Sequence, residues 1–220
     1  MSRILVVGGS DQGRQVIDAA STRADHVVVG VLDGNLPIGS TVGGVTVVGS
    51  TADLPGCADE LDADGFVVAI GDNTMRGDLL ERVGTVAPRL ERISILHASA
   101  VVARDAVVGG GSILLAGSIV GNGSVVGTGV LLGTASSIDH DCELDDHVSL
   151  APGAHTAGTV RIGRATALGV GASVIHQIRI GADTVVGAGA VVLDHLPDRV
   201  VAHGIPARVS RSRTPGERYL

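Results

Sequence analysis

Aromatic side chains are almost absent from this 220-residue chain: Phe66 and Tyr219 are the only two, and tryptophan is missing. That excludes a base-stacking platform for nucleic acid and a core built on Phe and Trp. Basic residues are in the minority, 16 Lys plus Arg against 23 Asp plus Glu, for a net charge of -7. Binding to phosphate backbones needs clustered positive charge, so no nucleic-acid partner is expected. Cysteine is scarce: Cys57 and Cys142 give neither a disulfide framework nor zinc-finger spacing. No apolar run approaches the roughly 20 residues of a membrane-spanning helix. Met1-Ser2-Arg3 leads straight into an aliphatic strand without the layout of a signal peptide. A cytoplasmic protein with no membrane insertion is expected.

What is abundant is aliphatic residues and glycine: 45% of residues are hydrophobic and 33 are Gly. Low charge with many Val, Ile, Leu and Ala permits burial and argues against disorder. Residues 1–95 alternate short aliphatic runs with helical stretches. Ile4 to Val7 meets Gly8-Gly9-Ser10-Asp11-Gln12-Gly13 and a helix over Arg14 to Ala20. Further runs are His26 to Leu32, Val45 to Val48 and Phe66 to Ile70, the last followed by Gly71-Asp72-Asn73 and a polar helix near Met75 to Val83. Strand, glycine-rich turn, helix, strand predicts a parallel sheet with about four strands, a half-Rossmann α/β unit. The turn Gly8 to Gly13 is weak as a dinucleotide fingerprint by itself. It gains context from the strand before it, the helix after it, and Asp33, a carboxylate placed to meet ribose hydroxyls.

From residue 96 the period becomes six. Every sixth position from Leu96 to Val192 is Val, Ile or Leu in 16 of 17 cases, with Thr156 the exception. The next residue is Gly in 8 of the 17, and the fourth residue on is mostly small, as at Ser112, Ser124, Cys142 and Ala172. Such a repeat predicts a parallel β-helix over residues 96–197, three hexads to a coil and between five and six coils. One aliphatic per hexad points inward, and the glycines are expected where the chain turns with unusual φ and ψ. Residues 198–220 are expected to form a cap and a polar tail.

These segments occur in an informative order: Gly8 to Gly13, Leu32-Asp33, Ala69-Ile70-Gly71-Asp72-Asn73, Ile138-Asp139-His140-Asp141-Cys142, Ala151-Pro152-Gly153-Ala154 and Gly204-Ile205-Pro206-Ala207-Arg208. The set resembles the bacterial sugar acetyltransferases of the left-handed β-helix, hexapeptide-repeat type. That family includes UDP-amino-sugar N-acetyltransferases and the sialic acid O-acetyltransferase type. The resemblance covers roughly residues 3–208. It implies acetyl transfer from acetyl-CoA to a nucleotide-linked amino sugar, UDP-linked by expectation. It also implies a homotrimer with the active site between neighbouring β-helices, and no metal. By the same resemblance His140 is the general base, Asp141 its acidic neighbour, and Gly158 the residue whose N–H meets the thioester carbonyl. Ser149, Val170 and Ala188 fall at coenzyme A positions, and Ser10, Asp11, Gln12, Asp33, Gly34 and Gly71 at sugar-nucleotide positions. Two residues depart from the family pattern: Gln12 and Ser149 stand where histidine is frequent.

The repeat itself supplies an independent expectation. Residues 18 apart stack at one strand spacing, about 4.8 Å, and His140 plus 18 is Gly158. A proton acceptor and a bare backbone donor are the two groups that direct acyl transfer needs. Contact between the adjacent His140 and Asp141 side chains requires a turn at that point, and Asp139 is the alternative orienting group. Cys142 is expected as a buried structural thiol. His147, His155, His176, His195 and His203 are expected at the surface. A zinc-bearing β-helix needs three converging histidines, and His140, His147 and His155 do not share a face. The other readings are a sugar O-acetyltransferase and a non-catalytic sugar-nucleotide-binding protein.

Overall fold

The structure, a computed structural model, describes residues 1–214 and 216–219. The first unit runs β1 (Ser2–Val7), α1 (Asp11–Ser21), β2 (His26–Leu32), β3 (Thr41–Val42), β4 (Val45–Gly49), α2 (Leu54–Glu60), β5 (Gly65–Val68), α3 (Asn73–Val86) and β6 (Glu91–Arg92). Its sheet has six strands in the order β3-β4-β2-β1-β5-β6. The expected four are present, and two-residue strands at β3 and β6 add the edges. Ile4, Leu5, Val6 and Val7 are all buried, as a parallel strand covered on both faces requires. Val16 and Ile17 of α1 pack on one side, and Leu54, Leu80 and Val83 of α2 and α3 on the other. The chain winds from β1 outward to β2, then returns to place β5 on β1's other flank. The carboxyl ends of β1 and β5 therefore form the topological switch point, the crevice where open α/β sheets hold ligands.

Seventeen two-residue strands follow at six-residue steps, from Ile95–Leu96 to Val191–Val192. The first fourteen each pair in parallel with the strand 18 residues on, as in Leu132 with Leu150, Ser137 with His155 and Glu143 with Arg161. Three walls result. The first carries Leu131, Ser149, Ala167 and Val185, the second Ser137, His155 and Ser173, and the third Glu143, Arg161 and Arg179. The inward residues Leu114, Val120, Leu132, Ile138, Leu150 and Val186 are fully buried, each contributing about 1.5–3 kcal/mol. Leu96, Val102 and Val108 of the first coil are only partly buried, since they lack a preceding coil. On the first wall the outward residues Ile113, Leu131 and Ala167 are buried too. Ile113 and Leu131 share one cluster with Val16, Ile17 and Ile95 under the α/β unit.

Three expectations need correction. The glycine after each inward aliphatic is not there for unusual dihedrals. Gly109, Gly121 and Gly133 have ordinary φ, and a Cβ on them would meet the backbone of the next coil at 2.6 to 2.8 Å. The left-handed residue lies two positions later, at Gly111, Gly123 and Gly129 but also at Ala135, Asp141 and Thr159. The segment after the coils is not simply a polar tail. Val200–His203 adds to the first wall, and Arg208–Ser212 pairs antiparallel with it. Arg213 beyond it is buried and Tyr219 is half-buried, while Leu220 lies outside the described residues. His147 is buried, not exposed: its ring packs against Gly77 of α3 and the backbone at Gly129.

Candidate active site

His140 and Asp141 occupy the turn between the second and third walls. Asp141 is left-handed, with φ of 55°, and that kink turns two adjacent side chains toward each other. His140 Nδ1 and Asp141 Oδ2 are 2.8 Å apart. Asp139 meets His140 differently, accepting from its backbone N–H at 2.8 Å. The Asp141 hydrogen bond raises His140 above the ordinary histidine range, with desolvation opposing it. With Nδ1 committed to the carboxylate, Nε2 is the nitrogen left to exchange a proton.

One coil on, Gly158 lies directly beneath the imidazole. The His140 Nε2 and Cε1 atoms come nearest to the place where a Cβ would stand, and Cδ2 is at 2.8 Å from it. The two turns are locked together, since Thr159 N–H donates to the His140 carbonyl at 2.8 Å. Among the described residues the Gly158 N–H itself has no acceptor. Imidazole and backbone donor thus stand on the same corner. Thr156, the one polar residue on the inward grid, is buried with its Oγ1 3.5 Å from Cys142 Sγ. Cys142 also lies 3.3 Å from the Ala157 carbonyl. Both are interior packing partners beneath this corner.

A cavity of about 440 Å³ opens between the α/β unit and the first wall. It brings together Gln12 and Gly71 from the switch point with Ser149, Val170 and Ala188 from the coils. Gln12 stands in the first turn of α1, and its side-chain Nε2 is buried with no partner among the described residues. Ser10 and Asp11, at the same helix terminus, are exposed, and Asp11 pairs with Arg14. Asp33 turns inward to the same loop: its carboxylate accepts from the backbone N–H of Gly9 at 2.7 Å and of Asn35 at 2.8 Å. Gly34 is exposed beside it. Gly8 and Gly13 are required by close approach, because a Cβ on Gly8 would meet the Ala69 carbonyl at 2.8 Å and one on Gly13 would press into Gly8.

Within one chain the two groups of residues do not meet. The first wall forms one side of the prism, and the turn holding His140 is the corner opposite that side. Two residues that local pattern could not announce help shape the cavity. Tyr219 lines it and places its hydroxyl 3.3 Å from Ser149 Oγ. Arg76 lies fully buried behind Gly71. It donates to the carbonyls of Ile70, Gly71, Gly129 and His147 at 2.8 to 3.0 Å, and to Asn73 Oδ1. Burial lowers Arg76 to about 10, which leaves it a cation. These bonds tie the β5–α3 loop to the coils. Among the described residues no three His, Cys, Asp or Glu side chains gather as a metal site would need, and no helix is long and apolar enough to cross a membrane.

Residues 3–83 match the family model described as the PglD N-terminal domain. A histidine variant of perosamine N-acetyltransferase from Caulobacter crescentus, in complex with CoA and GDP-perosamine, superposes with a TM-score of 0.90. It is 32% identical, and the match covers 96% of this chain and 98% of that one. The acetyltransferase domain of PglB from Neisseria gonorrhoeae, in complex with acetyl coenzyme A, gives 0.88 at 32% identity, covering 94% and 98%. WeeI from Acinetobacter baumannii gives 0.81 at 25% identity, covering 95% and 100%. No curated protein sequence matches the chain. With a Rossmann-like unit, a left-handed β-helix and near-complete coverage at this identity, the chain belongs to the bacterial hexapeptide-repeat sugar acetyltransferases, which use acetyl-CoA as co-substrate.

Proposed function

We propose that the protein transfers an acetyl group from acetyl-CoA to the amino group of a nucleotide-linked amino sugar, with His140 as general base. The observation that carries the reading is the His140 ring, held by Asp141, lying over Gly158 with its unpaired N–H. The neutral sugar amine attacks the thioester carbonyl while His140 Nε2 accepts its proton. The Gly158 N–H supports the oxygen as it becomes an oxyanion. Collapse breaks the carbon–sulfur bond, and the imidazolium returns the proton to the departing thiolate. Ser10, Asp11, Gln12, Asp33, Gly34 and Gly71 hold the nucleotide side. Val170 and Ala188, with Ser149, hold the coenzyme side.

The working assembly is a homotrimer in which His140 of one protomer serves the cavity of its neighbour. The separation of corner and cavity within one chain supports this arrangement, and flat prism sides suit closed symmetric association. UDP is the first nucleotide to try, on the likeness to UDP-amino-sugar N-acetyltransferases. GDP is the second, because a relative binds GDP-perosamine. The test is acetyl-CoA-dependent thiol release against a panel of UDP- and GDP-linked amino sugars and free sialic acid. Turnover of one nucleotide amino sugar, lowered about 10²–10⁴-fold by His140→Ala with nucleotide binding kept, is the expected result. Turnover of sialic acid alone, or full activity in His140→Ala, overturns it.

A further inference from the structure

The cavity between the α/β unit and the first wall has 19 lining residues, and only Gln12, Gln15, Ser149 and Tyr219 among them carry polar side chains. In an apolar cavity the few polar groups fix a ligand's orientation. Three of the four belong to the switch-point unit or to the wall facing it. Tyr219 comes from elsewhere, the segment beyond the strand Arg208–Ser212, and lies 70 residues from its partner Ser149.

That segment is anchored. Arg213 is buried, donates to the Asp183 carbonyl at 2.8 Å and to the Glu217 carbonyl, and sets its guanidinium 5.5 Å over the Tyr219 ring. Arg211 pairs with Glu217 at 2.6 Å. A cation over the ring face is a favourable contact, so the ring has a fixed seat. Burial raises the phenol above its ordinary range, partly offset by Ser149. The hydroxyl is therefore protonated at neutral pH and available as a donor.

What sits beside it follows from the geometry of transfer and rests on the function proposed above. A nucleotide held at the carboxyl ends of β1 and β5 places its phosphates near the α1 N-terminus. Its sugar must then cross this cavity to reach a thioester near Val170 and Ala188. Tyr219 stands on that crossing, and the buried, unpartnered Gln12 amide faces the same space. We propose that Tyr219 is an acceptor-binding residue: its hydroxyl, held by Ser149, donates a hydrogen bond to an oxygen of the sugar end of the nucleotide sugar.

The test is steady-state kinetics of Tyr219→Phe, Ser149→Ala and the double variant in the full-length protein. The substrate is whichever nucleotide amino sugar the wild type turns over, and binding of free UDP and GDP is measured by calorimetry alongside. Tyr219→Phe keeps the ring under Arg213, and an unchanged melting curve confirms the fold. The expected result is a rise in KM for the nucleotide sugar of up to about tenfold, the worth of one neutral hydrogen bond. For Tyr219→Phe, KM for acetyl-CoA and the affinity for free nucleoside diphosphate stay unchanged. The double variant then loses less than the product of the single losses. In Tyr219→Phe, a rise in the acetyl-CoA KM instead, an equal loss of nucleoside diphosphate affinity, or no change in any constant overturns the assignment. A wild type that acetylates no nucleotide amino sugar rejects the function itself. An active wild type with a silent Tyr219→Phe rejects only the role of Tyr219.

Discussion

Replacing Gly158 by alanine isolates the placement of His140 over its neighbour coil. Gly158 has no left-handed φ, so alanine is conformationally acceptable there, and its N–H is retained. What changes is a methyl group aimed into the imidazole. Cδ2 stands 2.8 Å from that methyl position and must retreat about 0.6 Å to reach ordinary contact at 3.4 Å. Nε2 and Cε1 start closer and must retreat further. The backbone is held against such relief, because His140 O and Gly158 O are both bonded to the next turns, by Thr159 N–H at 2.8 Å and Gln177 N–H at 3.1 Å. The exposed ring moves instead, breaking its 2.8 Å contact with Asp141. A displacement near 1 Å in a reacting group costs roughly 10²-fold, about 2.7 kcal/mol of barrier. The assay is acetyl-CoA-dependent thiol release at saturating substrates, with thermal melting as a control. The expected outcome is kcat down about 100-fold with the melting temperature within a few degrees of wild type. Undiminished kcat would refute the placement of the ring as the basis of catalysis.

Other perturbations give separate readings. Asp141→Asn removes the interaction that raises His140. In the proposed mechanism neutral imidazole is the base, so activity falls as pH drops through that raised pKa. The variant should move this acid limb of kcat/KM to lower pH while lowering the plateau; a limb that stays in place denies the coupling. Leu150→Ala opens a fully buried position in the coils. It should destabilise by about 2–5 kcal/mol in chemical denaturation, and a smaller change would mean the coils close over the gap. Arg76→Lys loses a fork that serves carbonyls on both units. Each buried carbonyl left unpaired costs about 1–3 kcal/mol, so early loss of the α/β unit should be seen by hydrogen exchange at α3.

Much of this was legible in the sequence wherever a repeat or a contiguous motif carried it. The sixfold grid announced the coils because one inward aliphatic per side is what a narrow prism admits. The stacking of His140 on Gly158 followed from the same count. The role of the recurrent glycines was misread: period locates them but does not distinguish a bent backbone from one crowded by the next coil. Helix α2 was not read from the sequence, although Pro55 stands in its first turn, where proline is well suited. His147, Arg76 and Tyr219 were illegible for a shared reason. Their surroundings are made by residues 53 to 72 positions away or by α3 packing across the coils, and no local pattern encodes such partners.

The claim that one protomer's imidazole serves another's cavity is tested most directly by mixing two inactive variants. His140→Ala removes the proposed base. Val170→Trp fills the cavity from an exposed turn position without touching the core. Each alone should be nearly inactive. Co-assembled in equal amounts as random trimers, they should recover about a quarter of wild-type activity, because one junction in four pairs an intact base with an open cavity. Mixed trimers no more active than the separate variants would contradict the account and place base and cavity within one chain.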